Sequence, residues 1–214
     1  MAQAEKIMRR RDETTGIGLR AVLAAQESSG LFERPIPRPS NDAEEVLQTC
    51  DSFTFASFTA NEAWELGHLL YARLLKVPGS KPTVISITSA QNDHVLFQAV
   101  VGSGTQPDND IWVARKRKTV LRFGTSTWYQ HCKYNGDESA FRKKFGMSEE
   151  MASAYAIHGG GVPIRVSGVE GIVAVVVVSG LAQHEDHGVI VEVINKNWQL
   201  KNPGMFAFSP NAQK

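Results

Sequence analysis

The chain has 214 residues, 42% of them hydrophobic, and a formal net charge of +1. That length suits one domain with a sizeable core, and the near-neutral balance argues against whole-domain attraction to nucleic acid or an anionic membrane. Two cysteines, Cys50 and Cys132, are too few for a disulfide framework and read as reduced thiols of a cytoplasmic protein.

At the N-terminus, Arg9, Arg10 and Arg11 are followed by no apolar run and stand among Glu5, Asp12 and Glu13. Neither a secretory signal nor a mitochondrial presequence is expected. The spacing of Leu19, Val22 and Leu23 predicts a helix within residues 1–29. Pro35, Pro37 and Pro39 then impose an extended connector without PxxP spacing. Residues 1–45 are accordingly expected to precede the main domain, placed at 46–200, with a loose tail over 201–214.

Alternation through Phe53-Thr-Phe-Ala56 predicts a strand. Thr59-Ala-Asn-Glu62 has capping-box form, and Ala63, Trp64, Gly67, Leu70, Tyr71 and Leu74 continue it as a helix, with Trp64 and Tyr71 expected in the core. Strands at 82–89 and 94–101 are joined by Ala90-Gln-Asn-Asp93, a link that suits a hairpin. A helix runs from Asp108 to Phe123 and stops at Gly124. Residues 125–150 are polar and broken into short helical pieces, one near Glu138–Phe145. Further strands follow at 162–166 and 172–178, then a helix at 183–198. The 172–178 run is valine-rich without alternation, so it belongs inside a sheet covered on both faces. The expected fold is an α/β (α+β), profilin-like, three-layer α/β/α domain with a five-stranded, mainly antiparallel sheet.

Three segments could carry chemistry. Arg115, Lys118 and Arg122 share one face of their helix, suited to an anion or to plain ion pairing, while Trp112, Lys116, Thr119 and Phe123 lie on another, partly buried face. His158-Gly159-Gly160-Gly161 lets backbone approach a ligand, or simply turns tightly into a strand. It lacks both nucleotide-binding glycine patterns. His184 and His187 are three apart, not the four of a zincin helix, and Glu185 and Asp186 suit the positive end of a helix without any ligand. No metal site is expected. Ser126 and Ser179 lack a G-x-S-x-G setting, and no catalytic residue is assigned.

Taken in order, Trp112-x-x-Arg115-Lys116, Val120-x-Arg122-Phe123-Gly124-x-Ser126, Tyr155-Ala-x-His158-Gly-Gly, Pro163-Ile-Arg-Val166, Ser179-Gly-Leu181 and Glu185-Asp-His187 resemble the HbpS/GlcG-like, haem-degrading-domain family. The match is closest to its bacterial and fungal branch, from about Ser52 to Trp198. Ala114, Thr125 and His184 depart from the pattern, standing where a second arginine, a histidine and an acidic residue are expected. The resemblance implies the profilin-like fold, a homo-oligomer of more than two subunits, and relatives that bind or degrade haem. It marks Trp112, Arg115, Lys116, Ser126, His158, Gly159, Gly160, Asp186 and His187 as candidate ligand-binding residues. Arg115 and Lys116 would pair with haem propionates or another small anion's carboxylates, and His158 or His187 would be the iron ligand. The alternative is a non-catalytic oligomeric adaptor. It would take protein partners, such as components of a chaperone pathway, through the tail from Leu200 to Lys214 and its Met205-Phe-Ala-Phe208 segment. Nucleic acid and membrane are not expected partners.

Overall fold

The computed structural model describes residues 6–28, 34–77, 79 and 81–200. In chain order the elements are β1 (Ile7–Arg10), α1 (Ile17–Glu27), α2 (Ala43–Thr49), β2 (Phe53–Phe55), α3 (Ala60–Leu74), β3 (Thr83–Ser89), β4 (Val95–Val101) and α4 (Pro107–Phe123). Three short helices follow, α5 (Thr127–Lys133), α6 (Glu138–Lys144) and α7 (Glu149–Ser153), then β5 (Gly161–Val166), β6 (Ala174–Ser179), α8 (Gln183–Asn197) and β7 (Trp198–Leu200). The loose tail expected over 201–214, and with it all of the Leu200–Lys214 adaptor segment except Leu200, lies outside the described residues.

Local chemistry sets most boundaries. At the start of α3, Thr59 N–H donates to Glu62 Oε2 (2.8 Å) and Thr59 Oγ1 accepts from Asn61 N–H (3.3 Å), so free first-turn donors are satisfied. Helix α4 opens on Pro107 and ends at Gly124, whose φ of 72° only glycine adopts without strain. Asp93, at φ 59°, makes the tight turn between β3 and β4.

The sheet has seven strands in the order β4-β3-β6-β5-β2-β1-β7. Four of the pairings are antiparallel, while β2 runs parallel to both β1 and β5. The expected five strands are β2 to β6, and β1 and β7 extend the sheet beyond β2. Both additions are short. In β1 the buried Met8 alternates with exposed Arg9, and β7 begins where the backbone leaves α8 at Trp198 (φ −117°, ψ 157°). Trp198 is 1% exposed and packs edge-on against Phe55, centroids 5.6 Å apart.

Strand β6 lies inside the sheet between β3 and β5, as its composition predicts. Val175 and Val177 pack with Val113, Val120 and Leu121 of α4 on one face. Val176 and Val178 join the main core on the other, with Leu66 and Leu70 of α3 and Val189, Ile190 and Ile194 of α8. Each buried valine contributes roughly 1.5–3 kcal/mol, so a charge anywhere in this run would break both layers.

The N-terminal segment is bound into the same body. Glu65, buried on α3, accepts from Gly16 N–H (2.5 Å) and Gly18 N–H (2.8 Å) and lies 3.7 Å from Arg10. Arg73 Nη2 donates to the Arg34 carbonyl (2.8 Å), and Ile36 of the proline-rich stretch is buried. One core expectation fails. Trp64 is 49% exposed because it sits on the outer surface of α3 against His68 and Phe97, and the core face falls to Leu66, Leu69 and Leu70. On α1, Leu19 and Leu23 face outward while Val22 and Ala25 are buried. Among the described residues no helix is long and apolar enough to cross a membrane.

Candidate functional site

Three segments distant in sequence meet at the end of β6: the first turns of α4, the His158–Gly161 turn, and the link from β6 into α8. Between them lies a cavity of about 350 Å³, lined by Asn109, Trp112, Lys116, His158, Ser179 and Asp186 with the 180–183 link. Wider clefts of about 450 and 620 Å³ lie beside β1 and β2, and neither is lined by a histidine.

The floor of the cavity is a buried ion pair. Lys116, 2% exposed, places Nζ 2.9 Å from Asp186 Oδ2 and donates to the Val178 carbonyl at 3.0 Å. The other Asp186 oxygen accepts from Leu181 N–H (3.0 Å), which ties the β6–α8 link to the pair. Burial pushes the Asp186 carboxyl up from its ordinary range, and the Lys116 ammonium draws it back down.

The glycine turn is shaped by this pair. Gly160 has φ 111°, and a Cβ there would collide with the Val178 carbonyl and come within 2.8 Å of Asp186 Cβ and 2.9 Å of Lys116 Nζ. Gly159 is pressed against the Gln183 carbonyl and the Trp128 ring in the same way. Gly161 N–H donates to Thr127 Oγ1 (2.9 Å). The turn is therefore both a tight entry into β5 and the backbone wall over the lysine.

His158 stands at the rim, its side chain 42% exposed, edge-on to Trp112 with centroids 4.9 Å apart. Burial lowers its pKa and Lys116 and Arg115 lower it further, while Glu138 opposes them. The ring is thus neutral at pH 7, and Glu138 Oε1, 3.6 Å from Nδ1, is a neighbour rather than an ion-pair partner. Among the described residues neither His158 Nδ1 nor Gln183 Oε1 has a hydrogen-bond partner. Behind them Gln183 Nε2 lies 3.3 Å from His131 Nε2, which must then accept. That fits a neutral His131, whose pKa burial also lowers.

The remaining predicted residues are elsewhere. Arg115 crosses the Trp112 ring at 4.6 Å, donates from Nε to the Tyr155 carbonyl (3.0 Å) and lies 3.9 Å from Glu138. With Lys118 and Arg122, both over the Tyr155 ring, it forms the expected basic face, and that face is packed on Tyr155. Ser126 is fully buried and caps α5, its Oγ accepting from Tyr129 N–H (3.0 Å) and its N–H donating to buried Asp51 (2.6 Å). His187 is fully buried beside Trp128, away from the cavity, and desolvation takes its pKa to about 3.

Of the nine candidates, Trp112, Lys116, His158 and Asp186 line the cavity, Gly159 and Gly160 pack behind it against Gln183 and the Lys116–Asp186 pair, and Arg115, Ser126 and His187 face other surroundings. Asn109, Gln183 and Glu138 were not singled out. Gln183 lies two residues after Ser179-Gly-Leu181, the nearest signal for it, and nothing local marks the others.

Against known proteins, a family model described as "Haem degrading protein HbpS-like" matches residues 58–195. A UPF0303 protein of Streptomyces avermitilis is 32% identical over 163 residues, 76% of this chain and 91% of that protein. UPF0303 protein YBR137W of Saccharomyces cerevisiae is 38% identical over 159 residues, covering 73% and 84%. The crystal structure of Ybr137w protein superposes with a TM-score of 0.63 at 34% identity, over 72% of this chain and 86% of that one. Through that match and these relatives, with its glycine turn and paired lysine set between α4 and α8, the chain belongs to the HbpS-like family.

Proposed function

We propose that this is a cytoplasmic homo-oligomer that binds a small acceptor-bearing ligand, an anion first of all, in the His158 cavity. The observation that carries the reading is the convergence of three remote segments on one half-open cavity with a fixed cation at its floor. An ammonium has three donors and Lys116 spends two on Asp186 and Val178, which leaves the third for a ligand oxygen. The first turns of α4 and α8 border the same space and add their positive ends.

Haem, named in the family description, does not fit these residues. Among the described residues His158 is the one imidazole on the cavity wall. Lys116 keeps a single donor beyond Asp186 and Val178, and Arg115 is held by Tyr155 and Glu138, so the cavity offers one cationic contact where two propionates need two. The volume also lies near the lower end of the roughly 300–1,000 Å³ usual for ligand pockets. A panel of small carboxylates followed by thermal shift tests the reading. Stabilisation of the wild type that disappears in His158→Ala and Trp112→Ala supports it. A haemin Soret band that is lost in His158→Ala would replace it with haem binding.

Assembly is supported by β4, a seven-residue edge strand with no charged side chain, on which Val95 and Val100 are exposed. Edges of this kind are usually covered. Light scattering should give a mass above that of a dimer, and Val100→Lys should lower it.

A further inference from the structure

The buried Lys116–Asp186 pair is larger in cost than a fold of this kind requires. Desolvating two charges is expensive, and apolar residues of similar volume would fill the same space as stably. The surrounding chain nevertheless bends to keep the amine in place. Gly160 adopts φ 111° directly over it, and any side chain there would come within 2.9 Å of Nζ. Although Lys116 is 2% exposed, it is on the cavity lining, so what little access it has is through that cavity.

We infer that Lys116 is a reactive amine that forms an imine with a small aldehyde or ketone entering the cavity, with Asp186 as its proton partner. This rests on the proposal that the cavity binds small ligands, and it names their class. Lys116 Nζ gives one proton to Asp186 Oδ2 across 2.9 Å. The freed lone pair forms the N–C bond to the carbonyl carbon while the C=O π electrons move to oxygen, which takes a proton from the nitrogen. The Asp186 carboxyl then protonates that hydroxyl, water leaves, and the nitrogen lone pair closes the C=N bond. The sum is ammonium plus carbonyl giving iminium plus water, with no oxidation or reduction, and the iminium keeps Asp186 as its counter-ion. Burial, which raises the Asp186 carboxyl, makes this internal proton exchange easier than it would be in water.

The test is to incubate the full chain with pyruvate or propanal, reduce with cyanoborohydride, and map the adducts by mass spectrometry. One dominant adduct per chain at Lys116 is expected, absent in Lys116→Arg, which keeps the charge beside Asp186 but forms no imine. Asp186→Asn should slow trapping by about a hundredfold, the low end of general acid–base effects. Adducts spread over surface lysines, with Lys116 unmodified in the wild type, would overturn the inference, and this result needs no variant to fold. Thermal stabilisation by pyruvate without trapping at Lys116 would sink the imine while leaving ligand binding intact. Loss of both would sink the two together.

Discussion

His158 and His187 occupy equivalent places in the family-like pattern, each beside a conspicuous turn or helix start, yet they do opposite work. His158 is half open to the cavity, with Trp112, Glu138, Lys116 and Arg115 all acting on its ring. His187 is sealed, with Trp128 lying nearly parallel at 6.2 Å, and burial alone dominates its chemistry. Residue type and spacing therefore mark where a histidine is wanted, and solvent access decides whether it can meet a ligand. The cavity side is built on charge balance, the His187 side on packing of a neutral ring.

The largest effect should come from breaking the charge balance. Lys116→Ala leaves Asp186 buried without its partner and should cost about 3–5 kcal/mol in urea unfolding. The double change Lys116→Met with Asp186→Leu should recover most of that loss. Gly160→Ala comes next, at about 2–4 kcal/mol, since it combines an unfavourable φ with collisions against Val178 and the ion pair.

Acid should expose the other histidine. The folded pKa of His187, about 3, lies below its ordinary 6.5, so the unfolded chain binds the extra proton first. Stability from the neutral ring is complete above pH 6.5 and drains as pH falls towards 3, by about 1.4 kcal/mol per pH unit. Asp51 and Asp186, raised by burial, act with the opposite sign. The informative measurement is therefore the difference in acid slope between wild type and His187→Phe, which should match that figure. His158→Ala should change stability at pH 7 by no more than about 0.5 kcal/mol, because the ring is at the rim and uncharged. A cost as large as that of Lys116→Ala would place His158 with His187 as a packing residue and end the distinction.

Much of the fold was legible because its signals are local. The Thr59–Glu62 cap, the β3–β4 turn and the unbroken valines of β6 need only a few neighbouring residues to be recognised. Strands β1 and β7 carry no such signal. One is four residues with two arginines, held between β2 and β7, and the other is three residues after a helix, a strand only because β1 lies beside it. The site divides the same way. Trp112 and Lys116 could be placed on one half-buried face by helical spacing. That Lys116 would meet Asp186, 70 positions away, follows from packing that no local pattern encodes. The basic stripe was correctly placed on one helix face, but its partner, Tyr155, is 40 positions from Arg115.

The two ends of the sheet set a limit on growth. Strands β2, β1 and β7 all fall outside the residues matched by the family model and together close one end of its sheet. The last of them is three residues long, too short a template for another strand. The opposite end presents seven residues of β4. Among the described residues, pairing through β4 would therefore be a chain-terminating step that closes a twofold unit, and the larger assembly proposed above needs a second contact surface away from the sheet edges.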